Sequence, residues 1–356
     1  MKKVHNFSAG PSILPQSVID QASQAVKEFD GMGLSLIEIS HRSKNFEAVI
    51  AEARQLVKDI LNLPSRYEVL FLQGGATLAF YTVPMNLLRD GGKAAYANTG
   101  VWATGAIKDA KLVGNIDVVA DSSDKNHSYI PDFEVGNEYD YLHITSNNTI
   151  YGTQYQSFPK SGSPLVCDMS SDIFSKKFNA EDFALIYAGA QKNMGPAGAV
   201  MYIIDTDHLG KSGRKLPAYL DLKNHIDKDS MSNTPSVFAV YTSMLTLRWI
   251  KENGGLEGME VRNRAKRDLF YTELDRNGLF KGHSVDRDRS WMNATFTLTN
   301  EALAADFDKM WKEAGISGIA GHRSVGGYRA SMYNALPIES VQVLVDVMKE
   351  FERTKG

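Results

Sequence analysis

Residues 183–204 read FALIYAGAQKNMGPAGAVMYII, and this stretch decides the fold. An apolar run ends at Ala188, a Gly-rich loop carries Lys192, and a second apolar run starts at Ala199. Short runs that are apolar throughout and bounded by Gly and Pro mark strands buried on both faces of a sheet. Outward from this pair, residues 68–72, 93–97, 139–145 and 165–168 give the same signal. Helical stretches at 77–88 and 102–110 follow the first two of them. Repeated strand–helix units predict a mostly parallel sheet with helices on both faces, the α/β class.

The flanks supply more helices. Residues 15–29 follow the Gly10–Pro11 turn. In residues 45–61, Phe46, Val49, Ile50, Ala53, Leu56, Val57 and Ile60 recur at helical spacing. A long helix at 236–251 ends at Gly254–Gly255, and another is expected at 256–277. Beyond it the pattern changes to a strand at 291–298 and helices at 301–314 and 340–355. The expected division is an N-terminal arm (1–14) packing with the small domain, a large domain (15–254) and a small α+β domain (255–356). The basic run Arg262, Arg264, Lys266, Arg267 reads as a solvated face of the connecting helix.

A chain of 356 residues exceeds what one hydrophobic core normally serves, which agrees with two domains. Its 43% apolar and 23% charged residues are ordinary for a folded protein. A net charge of −3 gives no reason to expect nucleic acid or an anionic membrane as partner, so charge for an anionic ligand must be gathered locally. Cys167 is the only cysteine, which excludes an intramolecular disulfide and a cysteine-based zinc site. The first fifteen residues lack a signal-peptide core, and no apolar run approaches a membrane span. A cytoplasmic protein without a metal is expected.

Five places could carry chemistry. Apolar strands on both sides of Lys192, and Gly195–Pro196 after it, would hold its amine in a poorly solvated site. Desolvation disfavours the ammonium, which an imine-forming lysine requires. Asp168 closes the apolar run PLVCD, at the strand end where open α/β sheets bind ligands. Its carboxylate could pair with a pyridinium nitrogen, or simply cap the next turn, a task Ser170 or Ser171 could also take. In VLFLQGGATLAF the Gly74–Gly75 turn precedes a helix whose first N–H groups, those of Ala76 and Thr77, form an anion cradle. It is neither a GxGxxG nor a Walker loop, which counts against NAD and ATP. Trp102, after a strand, could stack on a flat ring or pack in the core. Thr149, a loop hydroxyl after a strand, could bind that ring or its partner carboxylate.

In chain order these are a cradle, a stacking aromatic, a hydroxyl, a pyridinium partner and an imine lysine. The chain resembles the phosphoserine aminotransferase family of fold-type-I pyridoxal-phosphate enzymes. The resemblance rests on FSAGPSILP, EISHRS (38–43), NTGVW (98–102), YAGAQKNMGPAG (187–198), SNTPSVFAVY (232–241) and GHRSVGGYRASMYNA (321–335), and spans nearly the whole sequence. It implies a large domain with a mostly parallel seven-stranded sheet and a smaller C-terminal α+β domain. It implies pyridoxal 5′-phosphate on Lys192, with Asp168 at the pyridine nitrogen and Trp102 on the ring. Gly75, Ala76, Thr77, Thr149 and Gln191 match further cofactor contacts. Asn233 and Thr234 would reach a partner's cofactor phosphate across a homodimer interface. Some members carry Arg or Ser where this chain has Thr77, which leaves backbone donation intact.

The cations of the loops fit a small dianion. His41, Arg42, His322, Arg323 and Arg329 each read alone as surface residues, but Arg offers a planar fork for carboxylate or phosphate. By resemblance Arg329 takes the α-carboxylate, and His41 and Arg42 of the neighbouring subunit join His322 and Arg323 at the phosphate or side-chain carboxylate. The implied reaction moves the amino group of L-glutamate to 3-phosphohydroxypyruvate, giving O-phospho-L-serine and 2-oxoglutarate. It places the enzyme in serine biosynthesis, with pyridoxine biosynthesis as an additional route. The rival readings are an alanine–glyoxylate type aminotransferase, a cysteine desulfurase and a non-catalytic protein keeping the fold.

Overall fold

The computed structural model describes residues 4–356; the first three residues of the expected arm lie outside the described residues. Seven strands form the central sheet, in the spatial order Tyr67–Leu72, Val200–Asp205, Phe183–Gly189, Leu165–Asp168, Leu142–Thr145, Lys93–Asn98, Asn115–Asp121. Val200–Asp205 runs antiparallel to both neighbours, and the other strand pairs are parallel. Leu165–Asp168 is therefore the middle strand, and Asp168 ends it.

Each face of the sheet has its own core. On one, Cys167, Ile186 and Ile203 meet helices Gln16–Lys27, Lys44–Leu61 and Val237–Glu252 through Ala22, Phe46, Val57 and Leu247. On the other, Val166, Tyr187 and Tyr202 meet helices Gly75–Leu87 and Val101–Ala110 through Ala79, Phe80 and Ile107. The full burial of Phe46 explains its place at helical spacing; truncation to Ala would cost about 3–5 kcal/mol. Burial on both faces is why the central strands read as continuous apolar runs.

A third core belongs to the C-terminal part. The antiparallel strands Phe280–Gly282, Asn293–Leu298 and Tyr328–Ser331 pack through Phe280, Phe296 and Tyr328 against helices Gly255–Arg276, Ala304–Glu313 and Ile338–Lys355. The arm joins this core: His5–Asn6 pairs parallel with Ile316–Ser317, and Phe7 is fully buried there.

Several elements differ from the pattern reading, the strands Phe280–Gly282 and Tyr328–Ser331 among them. The seventh strand, Asn115–Asp121, gave no apolar run because it is an edge strand with most side chains exposed or half-buried. The strand expected over 139–145 starts only at Leu142. The helix expected from residue 77 starts at Gly75, because Gly74 and Gly75 adopt φ of +94° and +61° and turn the chain tightly enough to begin it there. The basic run is also corrected. Lys266 is fully buried and donates to the carbonyls of Met332 and Tyr333 at 2.9 and 2.5 Å. Arg262 is half-buried, donates to the Asn334 carbonyl and lies over Trp249. Only Arg264 is exposed; Arg267 is half-buried, and both lie beside Trp291, because the helix carries a neighbour on its other side.

Candidate active site

The carboxyl ends of five parallel-running strands converge on one cavity of about 390 Å³. Tyr67–Leu72 leads to Gly75, Ala76 and Thr77 in its wall; Lys93–Asn98 leads to Trp102; Leu142–Thr145 to Thr149; Leu165–Asp168 to Asp168 itself; Phe183–Gly189 to Gln191 and Lys192. The C-terminal part contributes Arg329 and His322. Ligand binding at this end of the sheet is what the topology favours.

Lys192 is half-buried and lines the cavity. Burial holds its amine below the ordinary lysine range; Asp168 opposes that shift and Arg329 adds to it. Its Nζ lies 5.7 Å from the centroid of the Trp102 ring. Asp168 is only 4% exposed, and burial raises its carboxyl above the usual range against the pull of Lys192. Its Oδ1 accepts the Ser170 N–H at 2.9 Å, so the carboxylate also caps the following turn. The two readings of Asp168 are thus compatible, because capping uses one oxygen.

The cradle comprises the first residues of helix Gly75–Leu87. No side chain caps that end, so the N–H groups of Gly75, Ala76 and Thr77 and the positive end of the helix dipole meet the cavity. Trp102, second in helix Val101–Ala110, is 40% exposed and not packed in the core. Its Nε1 donates to the Thr149 hydroxyl at 3.1 Å. That hydroxyl therefore serves the indole as acceptor and keeps one proton to donate.

Arg329 stands out electrostatically. Burial lowers its pKa, its Nε is buried without a hydrogen-bond partner, and among the described residues it has no ion pair. Its one side-chain hydrogen bond among the described residues, from Nη1 to the Thr149 carbonyl, is long at 3.4 Å. A half-buried guanidinium with its Nε left unpartnered gains from an anion that arrives to pair with it. With Lys192 and His322 also in the wall and Asp168 the sole carboxylate there, the cavity suits an anionic ligand.

Not every expected residue lies here. Arg323 is exposed on the loop after His322, outside the cavity wall. His41 and Arg42 are also outside it; His41 Nε2 is buried without a partner and Arg42 is exposed. Asn233 donates to Gln73 Oε1 at 2.7 Å, and Gln73 donates to the Thr234 carbonyl at 2.9 Å, beside the cradle but outside the wall. Conversely, Ala9, Gly10, Asn147, Ser170 and Ser171 line the cavity and were not singled out as site residues. Ala9 and Gly10 sat inside FSAGPSILP, where small residues carry no chemical signal of their own.

The family model "Aminotransferase class-V" matches residues 4–344. The chain belongs to the class-V aminotransferase family. Among its relatives, the phosphoserine aminotransferases of Flavobacterium johnsoniae and Flavobacterium psychrophilum are 59% and 57% identical over 354 residues, 99% of either chain. A solved phosphoserine aminotransferase from Bacillus circulans subsp. alkalophilus superimposes with a TM-score of 0.96 at 42% identity, covering 100% of both chains. The PLP-bound phosphoserine aminotransferase from Trichomonas vaginalis gives 0.92 at 32%, covering 98% of this chain and 100% of that one. This member of the family therefore has the fold-type-I architecture, and the cavity described above lies at its sheet's carboxyl end. No helix among the described residues is long and apolar enough to cross a membrane.

Proposed function

We propose that the cavity is the active site of a phosphoserine aminotransferase, which moves the amino group of L-glutamate to 3-phosphohydroxypyruvate and yields O-phospho-L-serine and 2-oxoglutarate. The observation carrying this reading is the convergence of Lys192, Asp168 and the unpaired Arg329 on one cavity.

The residues present fit pyridoxal 5′-phosphate. The uncapped start of helix Gly75–Leu87 offers N–H donors and a favourable dipole to a phosphate, with Gly75, Ala76 and Thr77 in reach. The half-exposed indole of Trp102, held by Thr149, offers a flat face to a ring. The buried Asp168 carboxylate lacks a full countercharge and would gain one from a protonated pyridine nitrogen. Gln191 would add a polar contact beside Lys192, the covalent attachment point. When bound, this cofactor supplies an electron sink for the pair released from substrate Cα.

The chain's own groups do the rest. Arg329 grips the α-carboxylate and so orients Cα toward Lys192. A lowered pKa leaves more of the Lys192 amine free near neutral pH, so Nζ can take the Cα proton and return it later. Burial disfavours the charge on Asp168 and a neighbouring cation favours it, which ties its role to the loaded site. His322 and Arg323 meet the second anionic group. His41 and Arg42 would complete that subsite from a second subunit, and Asn233 and Thr234 would reach the partner's phosphate. The exposed apolar side chains Met32, Leu34 and Ile37 on the segment leading to His41 support a homodimer. The division into an arm, a large domain to residue 254 and a small domain from 255 follows the separate cores, and a cytoplasmic setting follows the cysteine usage.

A coupled assay with glutamate and 3-phosphohydroxypyruvate tests the reading. Formation of 2-oxoglutarate is expected, and its absence with pyridoxal phosphate present would overturn the assignment.

A further inference from the structure

The N-terminal arm is fastened at two places that bracket the cavity. At one, the Tyr333 hydroxyl donates to the Ala9 carbonyl at 2.7 Å. Tyr333 is 1% exposed, two residues beyond the strand that carries Arg329, and Asn293 Nδ2 donates to the same hydroxyl at 3.2 Å. Asn293 in turn accepts from Asn147 in the cavity wall at 2.8 Å and donates to Ser331 at 2.9 Å. At the other place, Ser12 Oγ donates to the Lys192 carbonyl at 2.5 Å and Ser12 N–H to the Gln191 carbonyl at 3.0 Å. Between them, Ala9 and Gly10 line the cavity. A Cβ on Gly10 would stand 3.5 Å from Lys192 Cγ, so the arm backbone lies directly against the lysine stem.

These contacts form one unbroken path from the strand of Arg329 to the backbone of Lys192. We propose that Tyr333 and Ser12 are positioning residues that make residues 9–12 a strap, fixing the Lys192 amine against the site of Arg329 and shielding its stem from water. The idea rests on the reading of the cavity given above. Neither side chain lines the cavity, and each acts through a carbonyl it holds. Because the lysine stem is covered by arm backbone, releasing either fastener admits water and lets the amine return toward its ordinary basicity.

The variants Tyr333→Phe and Ser12→Ala each delete one hydroxyl and leave ring or backbone in place. Competitive amine labelling of the cofactor-free chain against pH, read by peptide mass spectrometry, measures the Lys192 pKa directly. Each variant is expected to raise it by about half a unit to one unit. In the loaded enzyme, Tyr333→Phe is expected to raise KM for glutamate severalfold, whereas Ser12→Ala lowers kcat about three- to tenfold with KM nearly unchanged. Ser12→Thr, which keeps the hydroxyl, should restore the parental values. If the fasteners act as one strap, the double variant loses less than the product of the single losses. A lower melting temperature with unchanged Lys192 pKa and unchanged kcat and KM would reduce both residues to packing and overturn the strap. A parent chain that turns over nothing would sink the aminotransferase reading alone, since the labelling measurement needs no cofactor.

Discussion

The indole Nε1 of Trp102 donates to the hydroxyl of Thr149 at 3.1 Å, tying the start of one helix to the loop after another strand across the mouth of the cavity. An exposed Trp has little else to fix its ring plane. Thr149→Val keeps the shape and removes the acceptor, at about 1 kcal/mol for the lost hydrogen bond. Cofactor affinity is expected to fall about fivefold, measured by titrating pyridoxal phosphate into the cofactor-free variant.

Lys192 is the only lysine in the cavity wall. Borohydride reduction followed by peptide mass mapping should leave the cofactor mass on the peptide containing Lys192. Lys192→Ala should show no adduct there and a kcat lower by roughly 10²- to 10⁴-fold. An adduct retained on another lysine would refute the assignment.

Asp168 makes a testable pH statement about stability. Burial raises its carboxyl above the ordinary 3.8 in the chain without cofactor. The folded chain then holds that proton more tightly than the unfolded chain, so stability falls as pH rises from about 3.8 through the folded value. Asp168→Asn abolishes this titration. The cofactor-free variant should melt above the parent near neutral pH, with the gap closing below about pH 4, in calorimetric scans across that window. With cofactor, the same variant should lose on the order of 10²- to 10³-fold in kcat, because the charge that stabilises the pyridinium is gone.

Gly74 holds φ at +94°, and a Cβ there would sit 2.4 Å from Leu78 Cδ2. Gly74→Ala therefore strains the backbone and displaces the first turn of the cradle helix, at about 2 kcal/mol or more. Thermal unfolding should register the strain, and pyridoxal phosphate should bind more weakly than pyridoxal loses affinity. Equal losses for the two ligands would separate Gly74 from phosphate binding.

Arg329→Lys keeps the positive charge but loses the planar fork. KM for glutamate should rise on the order of tenfold, with a smaller change in kcat. An unchanged KM would remove Arg329 from the carboxylate site.

Much of this protein follows from local sequence. The doubly buried strands around Lys192 and Asp168 are apolar throughout because both faces of the sheet are covered, so their place and class are visible without a structure. The turn at Gly74–Gly75 is equally legible, since few other residues tolerate that backbone. The edge strand Asn115–Asp121 was invisible because solvent on its side chains removes the apolar signal. Lys266 was misread as solvated for the opposite reason: nothing in a run of cations tells which one turns inward to two carbonyls. Only the tertiary structure brings Arg329 and the arm residues Ala9 and Gly10 to Lys192, from opposite ends of the chain. Their meeting depends on long-range pairing and packing, such as His5–Asn6 on Ile316–Ser317 and Tyr333 on Ala9, which no local pattern encodes. Sequence alone thus determined the strands, the turns and the chemical types at their ends. The distances and the half-buried, unpaired state of Arg329 came from the fold, because burial and pairing are properties of neighbours far away in the chain.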